Sequence, residues 1–203
     1  MHRESVNFCC NKIWLGFTVF FLAIISISLI SCDNPQNNSN QIKRYYDLKG
    51  FIASQITQLD KVKPVVFKTM KIGRDQNQLS SKDINWKKEL ELFIQADINK
   101  PAYAQSYLVS RPDSGTFEYN LKPGEDLPVR YLKIKLSVTD GVPVSVRALL
   151  RSENKLYQSE KEIDLTCEVK DNKSRIISYR IEGFQKLATM DKKPFIIEAG
   201  VKY

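Results

Sequence analysis

The chain opens with a long apolar run and continues with apolar residues at regular intervals. Residues 13–30 contain 18 consecutive positions without a charged side chain. After a polar segment, the apolar residues recur every three or four positions, which places them on one face of a helix. This helix is predicted to end before Pro64. Its apolar face consists of Tyr45, Leu48, Ile52, Ile56 and Leu59.

A second helix is predicted further along the chain. It follows a strand-like run from Pro64 to Gly73 and a polar stretch from Arg74 to Gln78. Ser81 is of a residue type that caps helix N-termini, and Pro101 prevents the helix from continuing. The apolar residues between them are spaced as one helical stripe. They are Trp86, Leu90, Phe93, Ile94 and Ile98.

From Ala102 onward, apolar and polar residues alternate, which is typical of strands with one buried face. Turn-forming residues such as Asp140-Gly141 separate about six to seven such runs. The predicted fold class is α+β, with two N-terminal helices packed on a curved antiparallel sheet of about six to seven strands. In the clearest strand, Leu132, Ile134, Leu136 and Val138 alternate with Tyr131, Lys133, Lys135 and Ser137.

The apolar run at the N-terminus has the organisation of a secretory leader. Arg3 and Lys12 supply positive charge, and the run ends at Leu29-Ile30-Ser31-Cys32. This ending resembles the lipobox of bacterial lipoproteins, in which a small residue precedes the cysteine that receives the lipid. The resemblance implies signal cleavage after Ser31 and lipidation of Cys32. An uncleaved anchor helix stays the alternative, because the run would measure about 27 Å as a helix.

The resemblance divides the chain into three parts. Residues 1–31 are the lipoprotein signal peptide, residues 32–41 are the lipidated cysteine and a polar tether, and residues 42–203 are a single α+β domain. It implies a lipoprotein of the Gram-negative cell envelope, held to a membrane through its N-terminal lipid, with the domain outside the cytoplasm. Asp33 does not decide between the inner and the outer membrane.

Removal of the leader changes the chemistry available to the protein. It takes away His2, the only histidine, together with Cys9 and Cys10. A chain without histidine cannot use an imidazole base, a Ser–His–Asp triad or a His-containing zinc site. Cys167 alternates with apolar neighbours and is predicted to be buried. We therefore predict no catalytic residue, no metal site and no cofactor. A histidine-independent hydrolase stays a third alternative.

The charge of the chain favours an anionic neighbour. After residue 31 it has 29 Lys and Arg against 22 Asp and Glu, a net charge of +7. Such an excess suits an anionic lipid, a glycan or an acidic envelope protein, and a lipid anchor outside the cytoplasm argues against nucleic acid. The outward positions of two predicted strands form the candidate anionic-ligand face. Its members are Lys133, Lys135, Arg147, Arg151 and Tyr131.

The sequence thus predicts a non-enzymatic binding module for an anionic or amphiphilic envelope component or a protein partner. For the candidate anionic-ligand face, a role in solubility alone is the competing interpretation. The alternative function is a carrier of lipid or another hydrophobic ligand, held in a half-barrel cavity between helices and sheet. An apolar hollow of roughly several hundred cubic ångströms would favour the carrier.

Overall fold

The structure is a computed structural model and describes residues 44–203. The predicted signal peptide, Ser31, Cys32 and the polar tether lie outside the described residues. Residues 44–203 belong to one compact unit, and the hydrophobic core lies within it. The predicted domain therefore contains a core of its own.

Helical segments occur before the third strand. The longest is α1 (Leu48–Val62), which has 15 residues. Two much shorter helices, α2 (Trp86–Glu89) and α3 (Glu91–Gln95), follow one another directly, with 4 and 5 residues. A 3₁₀ helix covers Pro101–Tyr103. The helical part of the domain is therefore small.

The sequence signals at the two ends of α1 explain its limits. The Asp47 carboxylate accepts a hydrogen bond from the Gly50 amide, which satisfies one of the free N–H groups of the first turn. Lys63 takes a left-handed conformation with φ of 50°, and Pro64 follows it and lacks an N–H. The helix predicted from the apolar spacing is confirmed over Leu48–Val62.

Within residues 44–203, nine strands form one antiparallel sheet in the order β2-β1-β9-β8-β7-β6-β5-β4-β3. Strands β3 to β9 make a consecutive meander, and the β1–β2 hairpin joins it by pairing with β9. The last strand of the chain therefore lies inside the sheet. The strands are β1 (Val65–Ile72), β2 (Asp75–Ser81), β3 (Tyr107–Ser110), β4 (Thr116–Leu121), β5 (Val129–Leu136), β6 (Pro143–Glu153), β7 (Tyr157–Lys170), β8 (Lys173–Leu187) and β9 (Lys193–Lys202).

The helices pack on one face of the sheet, which we call the inner face. Side chains of α1, α2 and α3 share one core cluster with side chains of the strands. The Phe93 and Tyr179 rings meet edge to face at 6.4 Å, and the Gln55 amide donates to the Ser174 carbonyl at 3.0 Å. The opposite, outer face carries polar strand residues such as Lys133, Arg147 and Arg180, together with apolar ones such as Ile196.

The predicted fold class is wrong in its proportions and in the place of its helices. Strands take up 52% and helices 17% of the described residues, and the sheet has nine strands rather than six to seven. The helices are not grouped ahead of the sheet, because β1 and β2 separate α1 from α2. The additional strands are those of the N-terminal hairpin, which pairs with the C-terminal strand.

The second predicted helix is also corrected. Ser81 is the last residue of β2, and the cap of α2 is Asn85, whose side chain accepts from the Lys88 amide at 3.0 Å. The helix breaks at Leu90, so the stripe is divided between α2 and α3. Strand β2 replaces much of the predicted polar stretch. It is an edge strand with every residue but Ser81 exposed, so its sequence has no alternation to detect.

Candidate functional site

The candidate site lies on the inner face where several turns meet. Because neighbouring strands are antiparallel, the β1–β2 turn, the β4–β5 and β6–β7 connections and the β8–β9 loop lie at one end of the sheet. We call this the loop end. Ile72, the last residue of β1, pairs there with Phe195 of β9, and Tyr157 of β7 pairs with Leu187 of β8.

A cleft of about 600 Å³ opens at this end. Its walls come from β1, β7, β8 and β9, and Leu92 of α3 closes one side. Most of its lining is aliphatic or aromatic, as in sites for small apolar ligands. We call this feature the apolar cleft. Its main apolar residues are Met70, Ile72, Leu92, Ile181, Phe195 and Ile197, with Leu187 and Met190 beside them.

The strand register explains why apolar side chains gather there. Met70 pairs with Ile197, and Ile197 pairs with Ile181, so these three side chains form one row across three strands. In the next row, Phe195 pairs with Gly183. A Cβ on Gly183 would lie 2.0 Å from the Glu160 carbonyl oxygen, so only glycine fits that position. The floor of the cleft is therefore apolar.

Polar groups are few in the cleft. Lys161 and Lys193 line it, together with Asp191, Gln185 and Tyr157. An apolar floor with ammonium groups beside it can bury an alkyl chain and pair with an anionic group at the end of that chain. The outer face has two smaller hollows, of about 320 and about 380 Å³. Charged and polar residues line most of the first, whereas the second combines carboxylates with Leu149, Phe184 and Ile196.

The candidate anionic-ligand face lies on the outer face of β5 and β6. Lys133 pairs directly with Arg147, and Tyr131, Lys135 and Arg151 occupy the alternate positions on the same two strands. The register thus brings the five residues onto one surface. Whether this surface binds an anion stays a prediction.

Carboxylates accompany the cations of this surface. Lys133 Nζ lies 2.7 Å from Glu118 Oε1, and Arg147 Nε lies 2.6 Å from Asp164 Oδ1. Arg151 pairs with Glu153 at 2.8 Å. A hydrogen bond from its ammonium to the Glu118 carboxylate raises the pKa of Lys133. The charges of this face are therefore largely compensated, and an anionic ligand would compete with these carboxylates.

Cys167 is buried, as the alternation predicts, with 6% of its surface exposed. Burial raises the pKa of its thiol to about 12. Since the thiolate is the reactive form, this cysteine is suited to packing and not to nucleophilic chemistry.

Two further observations concern residues 44–203 alone. No helix in that part of the chain is long and apolar enough to cross a membrane. Within the same residues, no three His, Cys, Asp or Glu side chains are grouped so that they could hold a metal ion.

Comparison with known proteins does not supply a relative. No protein-family model matches the chain, and no curated protein or solved structure matches it. Sequence reasoning named a hollow between helices and sheet only as an alternative and assigned no residues to it. The apolar run at Phe195 to Ile197 is the signal that could have pointed to it.

Proposed function

We propose that this protein is a membrane-anchored envelope lipoprotein whose domain binds an amphiphilic ligand without catalysing a reaction. The apolar cleft is the observation that carries the proposal. It replaces the candidate anionic-ligand face as the preferred binding site, because three of the four cations of that face, Lys133, Arg147 and Arg151, already contact carboxylates. The proposal combines the predicted binding module with the predicted carrier of a hydrophobic ligand.

The free energy of binding estimated for such a ligand requires both an apolar and a charged contact. Burial of about ten methylene groups in the cleft would contribute roughly 8 kcal/mol. Association costs roughly 4 kcal/mol or more in lost translational and rotational freedom, which leaves binding near the millimolar range. Lys161 and Lys193 supply the further contact, because each can pair with a carboxylate or phosphate at the end of an alkyl chain.

A fluorescent fatty acid titrated into the domain of residues 42–203 tests the cleft. Ile197→Trp replaces a branched alkyl group by an indole ring, and we expect the affinity to fall about tenfold or more, because the ring fills space that the alkyl chain of the ligand would occupy. Ile196→Trp is the matched control, because the neighbouring residue of the same strand points to the outer face. Equal binding by the wild type and both variants would contradict the proposal.

The anchor has a separate test. Cells fed a labelled fatty acid should label the wild type and the Cys167→Ala variant, and should not label Cys32→Ala. The two variants remove the two cysteines that remain after residue 31. Labelling of Cys32→Ala as strongly as the wild type would show that the lipid attachment has been misassigned.

A further inference from the structure

Exposed apolar side chains surround the mouth of the apolar cleft. Ile72 is 57% exposed, Leu156 72%, Leu187 47% and Met190 50%. They belong to three different connections, namely the β1–β2 turn, the β6–β7 turn and the β8–β9 loop. Apolar side chains grouped in this way on a surface mark a site of contact with a protein or a membrane.

Basic residues are interleaved with these side chains. The three connecting segments, residues 71–75, 153–157 and 186–193, contain six Lys or Arg and three Asp or Glu. The basic residues are all exposed. They are Lys71, Arg74, Lys155, Lys186, Lys192 and Lys193.

The charge of the loop end decides between the occupants of this surface. A second copy of the chain docked through the same surface would bring like charges together, which is unfavourable. An anionic bilayer offers headgroups to the lysines and a hydrocarbon layer to the apolar side chains. We propose that the loop end docks on the anionic phospholipid surface of the membrane that carries the protein.

The entry of the chain into the domain is compatible with this orientation. The Tyr45 hydroxyl donates to the carbonyls of Tyr103 and Ala104, just ahead of Tyr107, the first residue of β3. Strand β3 begins at the loop end of the sheet, as β9 does. The relevance of this entry point depends on the proposed anchor at Cys32.

Docking also connects this surface with the proposed function. The mouth of the apolar cleft would face the headgroup layer, so a lipid could enter the cleft without crossing water. Docking does not require that the cleft be occupied, so each proposal can fail without the other.

The experiment uses the full chain attached to vesicles. A fluorophore on Leu156→Cys reports on the loop end, and one on Val138→Cys, 86% exposed on the β5–β6 turn, is the matched control at the opposite end. The lipid anchor of both variants implies cleavage after Ser31, which removes Cys9 and Cys10, and Cys167 is buried. In vesicles that contain phosphatidylglycerol, a quencher in the lipid tails should quench the Leu156→Cys label several-fold more than the control.

Removal of positive charge tests whether the lysines of the loop end are responsible for docking. The combined variant Lys155→Gln, Lys186→Gln and Lys192→Gln should lower the quenching to that of the control, and so should vesicles of phosphatidylcholine alone. None of these three lysines lines the apolar cleft, so fatty-acid binding should persist. Equal quenching of the two labels, or quenching that is unchanged in phosphatidylcholine vesicles, would overturn the proposal.

Discussion

One row of inner-face side chains passes through two different environments. The register links Met70, Ile197, Ile181, Ile163 and Ala148 on successive strands. Ile163 and Ala148 are fully buried beneath the helices, whereas Met70 and Ile197 are half-buried and line the apolar cleft. We call these two parts the covered region and the cleft region. The same strand pattern thus gives a core in one place and a binding surface in the other.

The difference comes from the dimensions of the helices. A helix of 15 residues is about 22 Å long, whereas nine strands about 4.8 Å apart span roughly 38 Å. One helix cannot cover such a sheet, and α2 and α3 add only one turn or so each. Apolar residues beyond the reach of the helices remain accessible, because no second layer covers them.

The largest expected effect is the difference between the two regions in their contribution to the free energy of unfolding. Leu132 is 0% exposed in the covered region, and Leu187 is 47% exposed in the cleft region. Leu132→Ala should lower the free energy of unfolding by about 2 to 5 kcal/mol, because it removes buried methyl groups and leaves a cavity. Leu187→Ala should lower it by less than about 1 kcal/mol. Urea unfolding of both variants measures the two values. A loss of several kcal/mol for Leu187→Ala would show that the cleft region belongs to the core.

An intermediate effect is expected where the two regions meet. The Glu89 carboxylate accepts from Lys68 Nζ at 2.5 Å and from the Tyr179 hydroxyl. Glu89→Ala would leave these two partly buried groups unpaired, at a cost of about 1 to 3 kcal/mol.

A neighbouring glutamate provides the control for Glu89. Glu91 accepts only an exposed hydrogen bond from Gln95 among the contacts described, so Glu91→Ala should cost less than about 0.5 kcal/mol. Urea unfolding measures both variants. Equal free energies of unfolding for Glu89→Ala and Glu91→Ala would show that Glu89 does not link α2 to the sheet.

The part of the fold that repeats a local pattern could be predicted from the sequence. α1 and the meander strands have apolar residues at the spacing of a helix face or of one sheet face. The turn at Asp171 and Asn172 has φ values of 52° and 56°, which are the conformations that Asp and Asn tolerate. The local sequence is therefore sufficient to predict these elements, without knowledge of contacts between distant residues.

The remainder depends on contacts between distant residues. The pairing of β1 with β9 joins positions more than a hundred residues apart, and β2 has no buried face to reveal it. For the site, the cations at Lys133 and Arg147 were predicted, but their carboxylate partners lie on β4 and β7. The apolar cleft exists because of where the helices end on the sheet, which no local pattern records.

A third prediction concerns pH. Burial raises the pKa of Cys167 to about 12 in the folded state, whereas an unfolded thiol titrates near about 8.5. Between these values the unfolded state binds fewer protons, so stability falls as pH rises from about 8.5 towards 12. Cys167→Val should weaken this dependence, which pH-dependent urea unfolding measures. If the free energy of unfolding of Cys167→Val falls with pH as steeply as that of the wild type, the Cys167 thiol is not the cause of this dependence.

Alkylation compares the same two regions directly. Cys167 should resist a polar alkylating reagent in the folded protein, because it lies in the covered region. A cysteine introduced as Leu187→Cys should react within minutes, since that position is half exposed. Rapid reaction of Cys167 would mean that the covered region opens readily.

The smallest effect is expected on the outer face. Arg147 pairs with Asp164, but its side chain is 56% exposed, and exposed ion pairs contribute about 0 to 1 kcal/mol. Arg147→Gln should therefore change the free energy of unfolding by no more than that amount, measured by urea unfolding.

The same face also decides the site of anion binding. Changing Lys133, Lys135, Arg147 and Arg151 together to Gln should leave the docking of the loop end on phosphatidylglycerol vesicles nearly unchanged, because carboxylates such as Glu118 and Asp164 already compensate much of their charge. The triple lysine variant of the loop end is the comparison. If the outer-face variant loses docking and the loop-end variant keeps it, the anionic ligand binds the outer face. The cleft region would then be a gap in the helical layer without a role in membrane contact.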